Sequence, residues 1–286
     1  MSFRSLVSTA VLVAALLAGL LLRNPVTERQ AEVLAGEREV SFEAAATTRT
    51  SVQADSATTD FDALAHEAER PELARLPPQR LERENWRRAR GYFTQTDYDG
   101  YATYGEETLR ELAGNGDILA LDLFADALFA AGEDDRARVV LHLAAVHGST
   151  AALTRLATDY RHELWSLDAE DPALRRQALG RMLIYAEVAA LRGDYDGLIV
   201  GLQEIESSGI EFTPPELEEI SAQAESIYDD LALQRAHLGM RPFDDETPAL
   251  ELVTKGFMLS PYRSREGWGA SHVARLPVPH PVDSSI

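Results

Sequence analysis

The stretch Leu112-Ala113-Gly114-Asn115-Gly116-Asp117 decides the fold, because its pattern returns twice along the chain. The other two copies are Ala144-Ala145-Val146-His147-Gly148-Ser149 and Ala189-Ala190-Leu191-Arg192-Gly193-Asp194. In each copy, small residues end one helix, a glycine supplies a left-handed turn, and Asp or Ser caps the next helix. Helix pairs of this kind bury little surface alone and must stack on one another. The pattern therefore predicts consecutive helix-turn-helix repeats.

Helical periodicity surrounds these turns over residues 84–239. Residues 117–131 are apolar on almost every side except a stripe formed by Asp122 and Asp126, which predicts a helix packed between neighbours. Thr213-Pro214-Pro215-Glu216 combines capping-box spacing with prolines in the first turn, so it predicts another helix start. We therefore predict an all-α fold, with a short α-solenoid of helix-turn-helix repeats after an N-terminal transmembrane helix and a flexible linker.

The repeats resemble the Sel-one-like branch of the tetratricopeptide-type helical repeat family over about residues 101–205. The matching residues are Ala120, Phe124, Ala125, Gly132–Ala137, Ala144, Ala145, Gly148, Ala151, Ala152, Leu156, Ala157 and Tyr160. The resemblance implies a degenerate solenoid of about two to three repeats. The inter-helix loops lack the family's usual extra glycines, and the insertion Trp165–Asp171 stretches the third unit. An irregular helical bundle is the alternative, because Ala-Ala-x-x-Gly also arises at helix ends without repetition.

An uncharged run rich in Leu, Val and Ala, Leu6–Leu22, lies between Arg4 and Arg23. At about 1.5 Å per residue, the run just reaches the length that crosses a hydrocarbon core. No small-residue cleavage pattern follows it, so an uncleaved signal-anchor is favoured over a cleaved signal peptide. We predict that residues 1–23 anchor the protein in a bacterial inner membrane by a single pass. The bulk of the chain is then expected in the periplasm, because the short leader has no room for a functional domain.

Two further segments flank the predicted repeat domain. Residues 24–83 are acidic and rich in Ala and Thr, with no sustained apolar periodicity, which is typical of a flexible linker. Residues 240–286 carry six prolines between a few aromatic residues and predict an extended C-terminal tail. Such a tail either wraps its own domain or folds on a partner.

Charge and composition restrict the classes of partner. The chain has 27 basic and 47 acidic residues, a net charge of −20. Nucleic acids and anionic membrane surfaces are therefore disfavoured, because binding to them starts with cations that neutralise phosphates. The chain has no cysteine, which excludes disulfides, thiolate metal sites and cysteine nucleophiles. A protein or peptide partner remains, and the sequence leaves the oligomeric state open.

Motifs for catalysis or metal binding are incomplete. His162-Glu163 begins like a zinc-protease motif, but Ser166 stands at the position of the second histidine. His142 and His147 lie five positions apart on a predicted helix and do not face one metal ion, so they are interpreted as surface or groove residues. Asp97-Tyr98-Asp99-Gly100 lacks the remaining ligands of a calcium loop and predicts a turn. We assign no catalytic, cofactor or metal residue.

The sequence therefore favours a non-catalytic scaffold that binds a protein or peptide partner in the bacterial cell envelope. Candidate groove residues are Asp122, Asp126, Arg155 and Asp159. A second candidate surface is an aromatic ledge of Tyr98, Tyr101 and Tyr104, for which packing of an N-terminal cap is the plainer interpretation. The alternative function is a helical periplasmic cell-wall hydrolase that uses a glutamate as general acid.

Overall fold

The computed structural model describes residues 76–168, 171–263 and 268–277. All regular secondary structure in these ranges is helical, so the predicted all-α class is confirmed. The predicted membrane segment Leu6–Leu22 and most of the predicted linker lie outside these ranges. Among the helices that can be described, none has both the length and the apolar character needed to cross a bilayer.

Eleven α-helices and one 3-10 turn are present within the described ranges. In chain order they are α1 (Pro78–Ala89), α2 (Gln95–Tyr101), α3 (Glu106–Gly114), α4 (Ile118–Ala130), α5 (Asp134–His147), α6 (Thr150–Ser166), α7 (Pro172–Leu191), α8 (Asp196–Ser208), α9 (Pro214–His237), α10 (Ala249–Met258), the 3-10 turn Ser260–Tyr262 and α11 (Ala270–Arg275).

The chain divides into two compact units. The described part of the first unit is Ala125–Val139, which holds the end of α4, the turn at Gly132 and the start of α5. Two ion pairs within this unit link residues three apart, Arg136 with Glu133 and, at 3.2 Å, Arg138 with Asp135. The second unit contains all the other described residues and is the subject of the following paragraphs.

Helix α7 is the centre of the second unit and packs against α6, α8 and α9. Asp171 caps its N-terminus by accepting a hydrogen bond from the Leu174 amide at 3.1 Å. Pro172 follows at the first helical position, where a backbone N–H would have no partner within the helix. Over residues 182–190 nearly every side of α7 is buried, so this part of the helix has to be surrounded by neighbours. The buried apolar residues of α7 are Ala178, Leu179, Met182, Leu183, Ile184, Ala186, Val188, Ala189 and Ala190.

Residues 268–277 pack onto this core. Trp268 is 6% exposed, and its indole N–H donates to the Glu187 carboxylate at 2.7 Å. His272 lies 3.5 Å from the other oxygen of the same carboxylate. A Cβ at Gly201 would come within 2.7 Å of the Trp268 ring, so the glycine allows the indole to lie on α8. The region around α11 is therefore attached to α7 and α8.

The structure differs from the predicted boundaries of the linker and the tail, because prolines in both segments stand at the starts of helices. Helix α1 begins at Pro78, inside the predicted linker, because Pro77 and Pro78 initiate the helix instead of interrupting it. Residues 240–248 have no regular secondary structure, but the predicted extended tail also contains α10 and α11. Pro248 immediately precedes α10, so a proline again stands at a helix start and not within it. The predicted start of α9 at Thr213 is confirmed by its capping box with Glu216.

His142, interpreted from sequence as a surface or groove residue, packs against tyrosines. Its Nε2 lies 3.0 Å from the Tyr185 hydroxyl, and the Tyr185 ring stacks on Tyr160 at 5.6 Å between centroids. Burial lowers the pKa of His142 from its usual 6.5 to about 4. The imidazole is therefore neutral in the folded protein at neutral pH.

The His142→Gln variant tests this environment. Because the pKa of His142 is lower in the folded than in the unfolded chain, its contribution to stability is complete above pH 6.5 and is lost as the pH falls through about 4. Between neutral pH and about pH 4, the wild type should lose up to about 3 kcal/mol more unfolding free energy than His142→Gln. Urea unfolding at both pH values measures the difference. His237→Gln, at an exposed position, is the control, and equal pH slopes for wild type and His142→Gln would contradict the prediction.

Candidate functional site

The repeated glycine turns share one backbone geometry. Gly116, Gly148 and Gly193 have positive φ angles of 84°, 121° and 75°. In each turn the glycine N–H donates to the carbonyl three residues earlier, and the next N–H donates to the carbonyl five residues earlier, at 2.9 to 3.0 Å. This pairing is a Schellman-type helix end. The same two hydrogen bonds occur at Gly91, Gly132 and Gly239, which the sequence motif missed because no Asp or Ser follows those glycines.

Four of these turns lie side by side in the second unit. The Ala151 amide donates to the Arg90 carbonyl at 3.0 Å, and a Cβ at Gly91 would collide with the Ser149 hydroxyl. A Cβ at Gly116 would collide with the His147 ring. Tyr92 and Thr150 both donate to Asp194, at 2.6 and 2.5 Å. The turns at Gly91, Gly116, Gly148 and Gly193 therefore form one continuous surface, which we call the turn surface.

An extended stretch of the chain itself lies on this surface. We call Arg241–Thr247 the cis segment. Thr247 donates to the Gly193 carbonyl at 2.7 Å, and a Cβ at Gly193 would lie 2.5 Å from the Asp245 carbonyl oxygen. From α1, Trp86 donates to the Glu246 carbonyl at 2.7 Å. The cis segment thus contacts both α1 and the turn at Gly193.

Three arginines hold the cis segment, and we call Arg90, Arg192 and Arg235 the arginine clamp. The Arg90 Nη2 donates to the carbonyls of Asp244 and Glu246, at 2.5 and 3.1 Å. The Arg235 Nε donates to the Arg241 carbonyl at 2.5 Å, and its Nη1 donates to the Val146 carbonyl at 2.8 Å. These four hydrogen bonds all go to main-chain carbonyl oxygens, which every peptide has.

Arg192 makes the contacts that depend on side chains. Its Nε donates to the Asp245 carboxylate at 2.7 Å, and Tyr228 donates to the other oxygen of that carboxylate at 2.7 Å. Two guanidinium groups lie over the Phe243 ring, with their carbon atoms 3.4 Å (Arg192) and 4.9 Å (Arg235) from the ring centre. An aromatic ring and, two residues later, a carboxylate are therefore recognised individually.

Burial weakens the proton affinity of the clamp without removing its charge. Arg192 is 2% exposed, and this burial lowers its pKa to about 10 against the opposing effect of Asp245. Burial also lowers the pKa of Arg90 and of Arg235. The Arg192 Nη1 and the Arg90 Nε are buried without a hydrogen-bond partner among the described residues. The clamp therefore holds donors that the cis segment does not use.

A buried polar network adjoins the clamp at Asp194. Besides Tyr92 and Thr150, the Asp196 amide donates to Asp194 at 3.1 Å. Burial and the charge of Asp196 raise the pKa of Asp194, while its three hydrogen bonds oppose that shift. Burial and the charge of Asp194 raise the pKa of Tyr92 well above its usual value. Asp194 thus joins the end of α7 to the starts of α6 and α8.

The network continues through the only lysine of the chain, Lys255. The Lys255 side chain is 8% exposed and pairs with Asp196 and, at 3.2 Å, with Glu251. Arg87 lies 3.4 Å from Asp196 and 3.5 Å from Glu251. Two cations and two carboxylates therefore hold α1, α8 and α10 together.

The predicted groove and ledge residues do not form a single cluster in the structure. Tyr98 donates to the Asp122 carboxylate at 2.6 Å, and Arg155 forms an ion pair with the same group. The structure thus brings one ledge residue and two groove residues together, on three different helices. Asp159 is partly buried on α6, and Asp126 is exposed in the first unit.

The other two ledge residues pack on each other. Tyr101 donates to the Asp117 carboxylate at 2.7 Å, and its ring meets that of Tyr104 edge to face at 5.1 Å. Burial and this hydrogen bond raise the pKa of Tyr101. No three His, Asp or Glu side chains are placed to hold a metal ion in the described ranges.

Sequence reasoning missed the arginine clamp. One signal was present, because Arg192 stands inside a repeated motif whose other members are mostly small or apolar. Comparisons with family models, with curated proteins and with solved structures find no match to this chain.

Two glycine substitutions test the approach of the cis segment to the turn surface. Gly193 and Gly239 have similar positive φ angles, 75° and 71°, so alanine costs each of them about 1–2 kcal/mol in backbone strain. At Gly193 the new methyl group would also meet Asp245, whereas nothing lies within 4 Å at Gly239. Gly193→Ala should therefore lose about 1–3 kcal/mol more unfolding free energy than Gly239→Ala. Equal losses in urea unfolding would show that the cis segment does not lie on Gly193.

Labelling of Lys255 tests the buried network. In a chain carrying Arg80→Lys as an exposed reference, an acylating reagent should modify Lys255 at least roughly tenfold more slowly, because α10 has to open first. Mass spectrometry of the digested protein gives both rates. Glu251→Gln should raise the rate at Lys255 by removing one of its two carboxylate partners. Equal rates at the two lysines in the native protein would contradict the burial.

Proposed function

We propose that this protein is a non-catalytic helical-repeat scaffold that binds a protein or peptide partner in the bacterial cell envelope. In this proposal residues 6–22 hold it in the inner membrane, and the bulk of the chain lies in the periplasm. The observation that carries the proposal is the extended cis segment on the turn surface, held by Trp86, Arg90 and Arg235 through its main-chain carbonyls.

Recognition of main-chain carbonyls suits a scaffold that takes extended peptides. These oxygens are present whatever the sequence, so donors aimed at them supply affinity, while pockets for alternate side chains supply specificity. The arginine clamp combines both functions, because Arg90 donates to two carbonyls of the cis segment and Arg192 contacts the side chains of Phe243 and Asp245. An arrangement of this kind holds a peptide and carries out no chemistry on it.

The repeated turns support the assignment to a helical-repeat family. Three copies of the sequence motif adopt one Schellman-type geometry, and the turns at Gly116 and Gly148 lie next to each other. Adjacent turns of equal geometry are expected where consecutive helix pairs stack. This similarity favours the degenerate Sel-one-like solenoid over an irregular bundle.

A second candidate contact surface lies at Tyr98, Asp122 and Arg155. The Asp122 side chain is 11% exposed and the Arg155 side chain 31% exposed, so the ion pair lies at the edge of the surface. The Tyr98 hydroxyl completes the set, and its ring meets Phe93 edge to face at 6.2 Å. A polar pair beside aromatic rings is typical of an interface rim.

The buried glutamates give no support to the hydrolase alternative. A general acid needs a carboxyl group that keeps its proton near the scissile bond. Glu187 accepts from Trp268, Glu204 accepts from Arg161 at 2.8 Å, and Glu251 pairs with Lys255. Each of these carboxylates has a donor or a cation as its partner, as a structural carboxylate does.

Site-specific photo-cross-linking in cells tests the scaffold function with the full chain. A photoreactive residue at Thr103 or at Asp126, both exposed, should form adducts with a partner protein. Gln223 and Asp229, exposed on α9, are matched controls and should form none. Adducts that map to one protein would support the scaffold. No adduct at any position, together with release of soluble fragments from cell-wall material by the purified chain, would favour the hydrolase.

A further inference from the structure

We propose that the arginine clamp is an exchangeable binding site for an acidic, extended peptide of a partner protein, and that the cis segment occupies it while the partner is absent. This inference rests on the proposed scaffold function and specifies the chemistry of the partner. The bound peptide would carry an aromatic residue followed, two positions later, by Asp or Glu. In the cis segment these residues are Phe243 and Asp245.

The charge of the site selects an acidic ligand. Arg90 and Arg192 are 4% and 2% exposed, and the carboxylate that neutralises Arg192 comes from the cis segment. Removing the anionic partner of a buried cation without replacement is strongly unfavourable. A peptide that displaces the cis segment must therefore supply its own carboxylate to Arg192. A neutral or basic peptide would leave that charge uncompensated.

The aromatic requirement follows from the stacking at Phe243. The centre of the Phe243 ring lies 3.4 Å from the guanidinium carbon of Arg192 and 4.9 Å from that of Arg235, and the Tyr228 ring lies 6.0 Å away. Two cations over one ring favour an aromatic side chain over an aliphatic one of similar size. The site therefore recognises two side chains of one extended peptide, an aromatic ring and a carboxylate two residues apart.

The cis segment leaves part of the clamp unused. The Arg192 Nη1 and the Arg90 Nε are buried without hydrogen-bond partners in the described part of the chain, and the side chains of Asp244 and Glu246 are exposed. A partner peptide with additional acceptors can satisfy these donors, which the cis segment does not. Exchange is then favoured by hydrogen bonds that the resting arrangement lacks.

The cis segment can leave without unfolding its neighbours. On one side α9 packs against α7, and on the other side α10 is held through Lys255 and Glu251. These contacts do not involve Phe243 or Asp245. The stretch between the two helices has no regular secondary structure, so its displacement breaks its contacts with the clamp and the turn surface, and those with Trp86 and Tyr228, but no helical hydrogen bond.

Tethering makes the cis segment a strong competitor. A segment joined at both ends has an effective concentration on the order of millimolar, so a free peptide has to overcome that value. We therefore expect weak binding of peptide to the wild-type chain. A variant with a weakened cis segment should bind the same peptide much more tightly.

The test measures fluorescence anisotropy of a labelled peptide with the sequence of residues 240–248, mixed with the full chain. The opened variant Phe243→Ala/Asp245→Asn should bind this peptide at least roughly tenfold more tightly than the wild type. A control peptide with Asn and Gln in place of its three acidic residues should bind the opened variant at least roughly tenfold more weakly than the acidic peptide. Adding Arg192→Met to the opened variant should abolish the preference for the acidic peptide.

Two results would overturn the inference. One is an opened variant that keeps its helical circular dichroism but binds acidic and neutral peptides equally or not at all. The other is an opened variant that forms a dimer without peptide, because the occupant would then be a second copy of this chain. Survival of the Thr103 and Asp126 adducts alongside either result would leave the scaffold function standing and remove only the peptide site.

A second measurement keeps the test valid if the opened variant fails to fold. The chain has no cysteine, so spin labels at Glu246→Cys and Gln223→Cys, both exposed positions, report one distance. In the otherwise wild-type chain, millimolar acidic peptide should broaden the distribution of distances between the two labels and increase its mean. The neutral peptide should leave this distribution unchanged. An unchanged distance with both peptides would contradict exchange.

Discussion

Arg192 is buried at the end of the central helix α7, where its guanidinium group cannot reach water. The free energy of burying that charge is offset by Asp245, by the ring of Phe243 and by the hydroxyl of Tyr228, which shares Asp245 with it. These partners come from α9 and from the cis segment. The end of α7, the side of α9 and an extended stretch of chain are therefore fixed relative to one another by a single cation.

A second buried charge acts from the opposite side of the same turn. Asp194, two residues after Arg192, receives donors from Tyr92 and Thr150 and adjoins the network of Arg87, Asp196, Glu251 and Lys255. The turn at Gly193 is thus flanked by a cation that binds the cis segment and by an anion that binds Tyr92, just after α1, and Thr150, at the start of α6. Glycine allows the positive φ angle of 75° on which this turn depends. The apolar core around α7 supplies the bulk of the burial, and these two charges determine how the turns are arranged on it.

The sequence predicted the features whose causes are local. Helix starts at Thr213 and Asp171 and the glycine turns depend on residues within one helical turn, so their patterns could be read directly. The arginine clamp could not, because its pairing of Arg192 with Asp245 joins residues far apart in the chain. The sequence places Asp122 and Arg155 in one predicted groove, but it does not predict that Tyr98, assigned to a separate ledge, donates to Asp122. The prolines of residues 240–286 predict an extended tail, but Pro248 stands at the start of a helix.

The hydrogen bonds from Arg90, Trp86 and Arg235 to main-chain oxygens also affect how this region can vary in evolution. Those bonds do not depend on the side chains at Arg241 and Glu246, so substitutions there leave the contacts with the turn surface in place. Positions 243 and 245 have no such freedom, because their side chains meet Arg192 directly. Neutral changes are therefore expected at some positions of the segment and disfavoured at the other two.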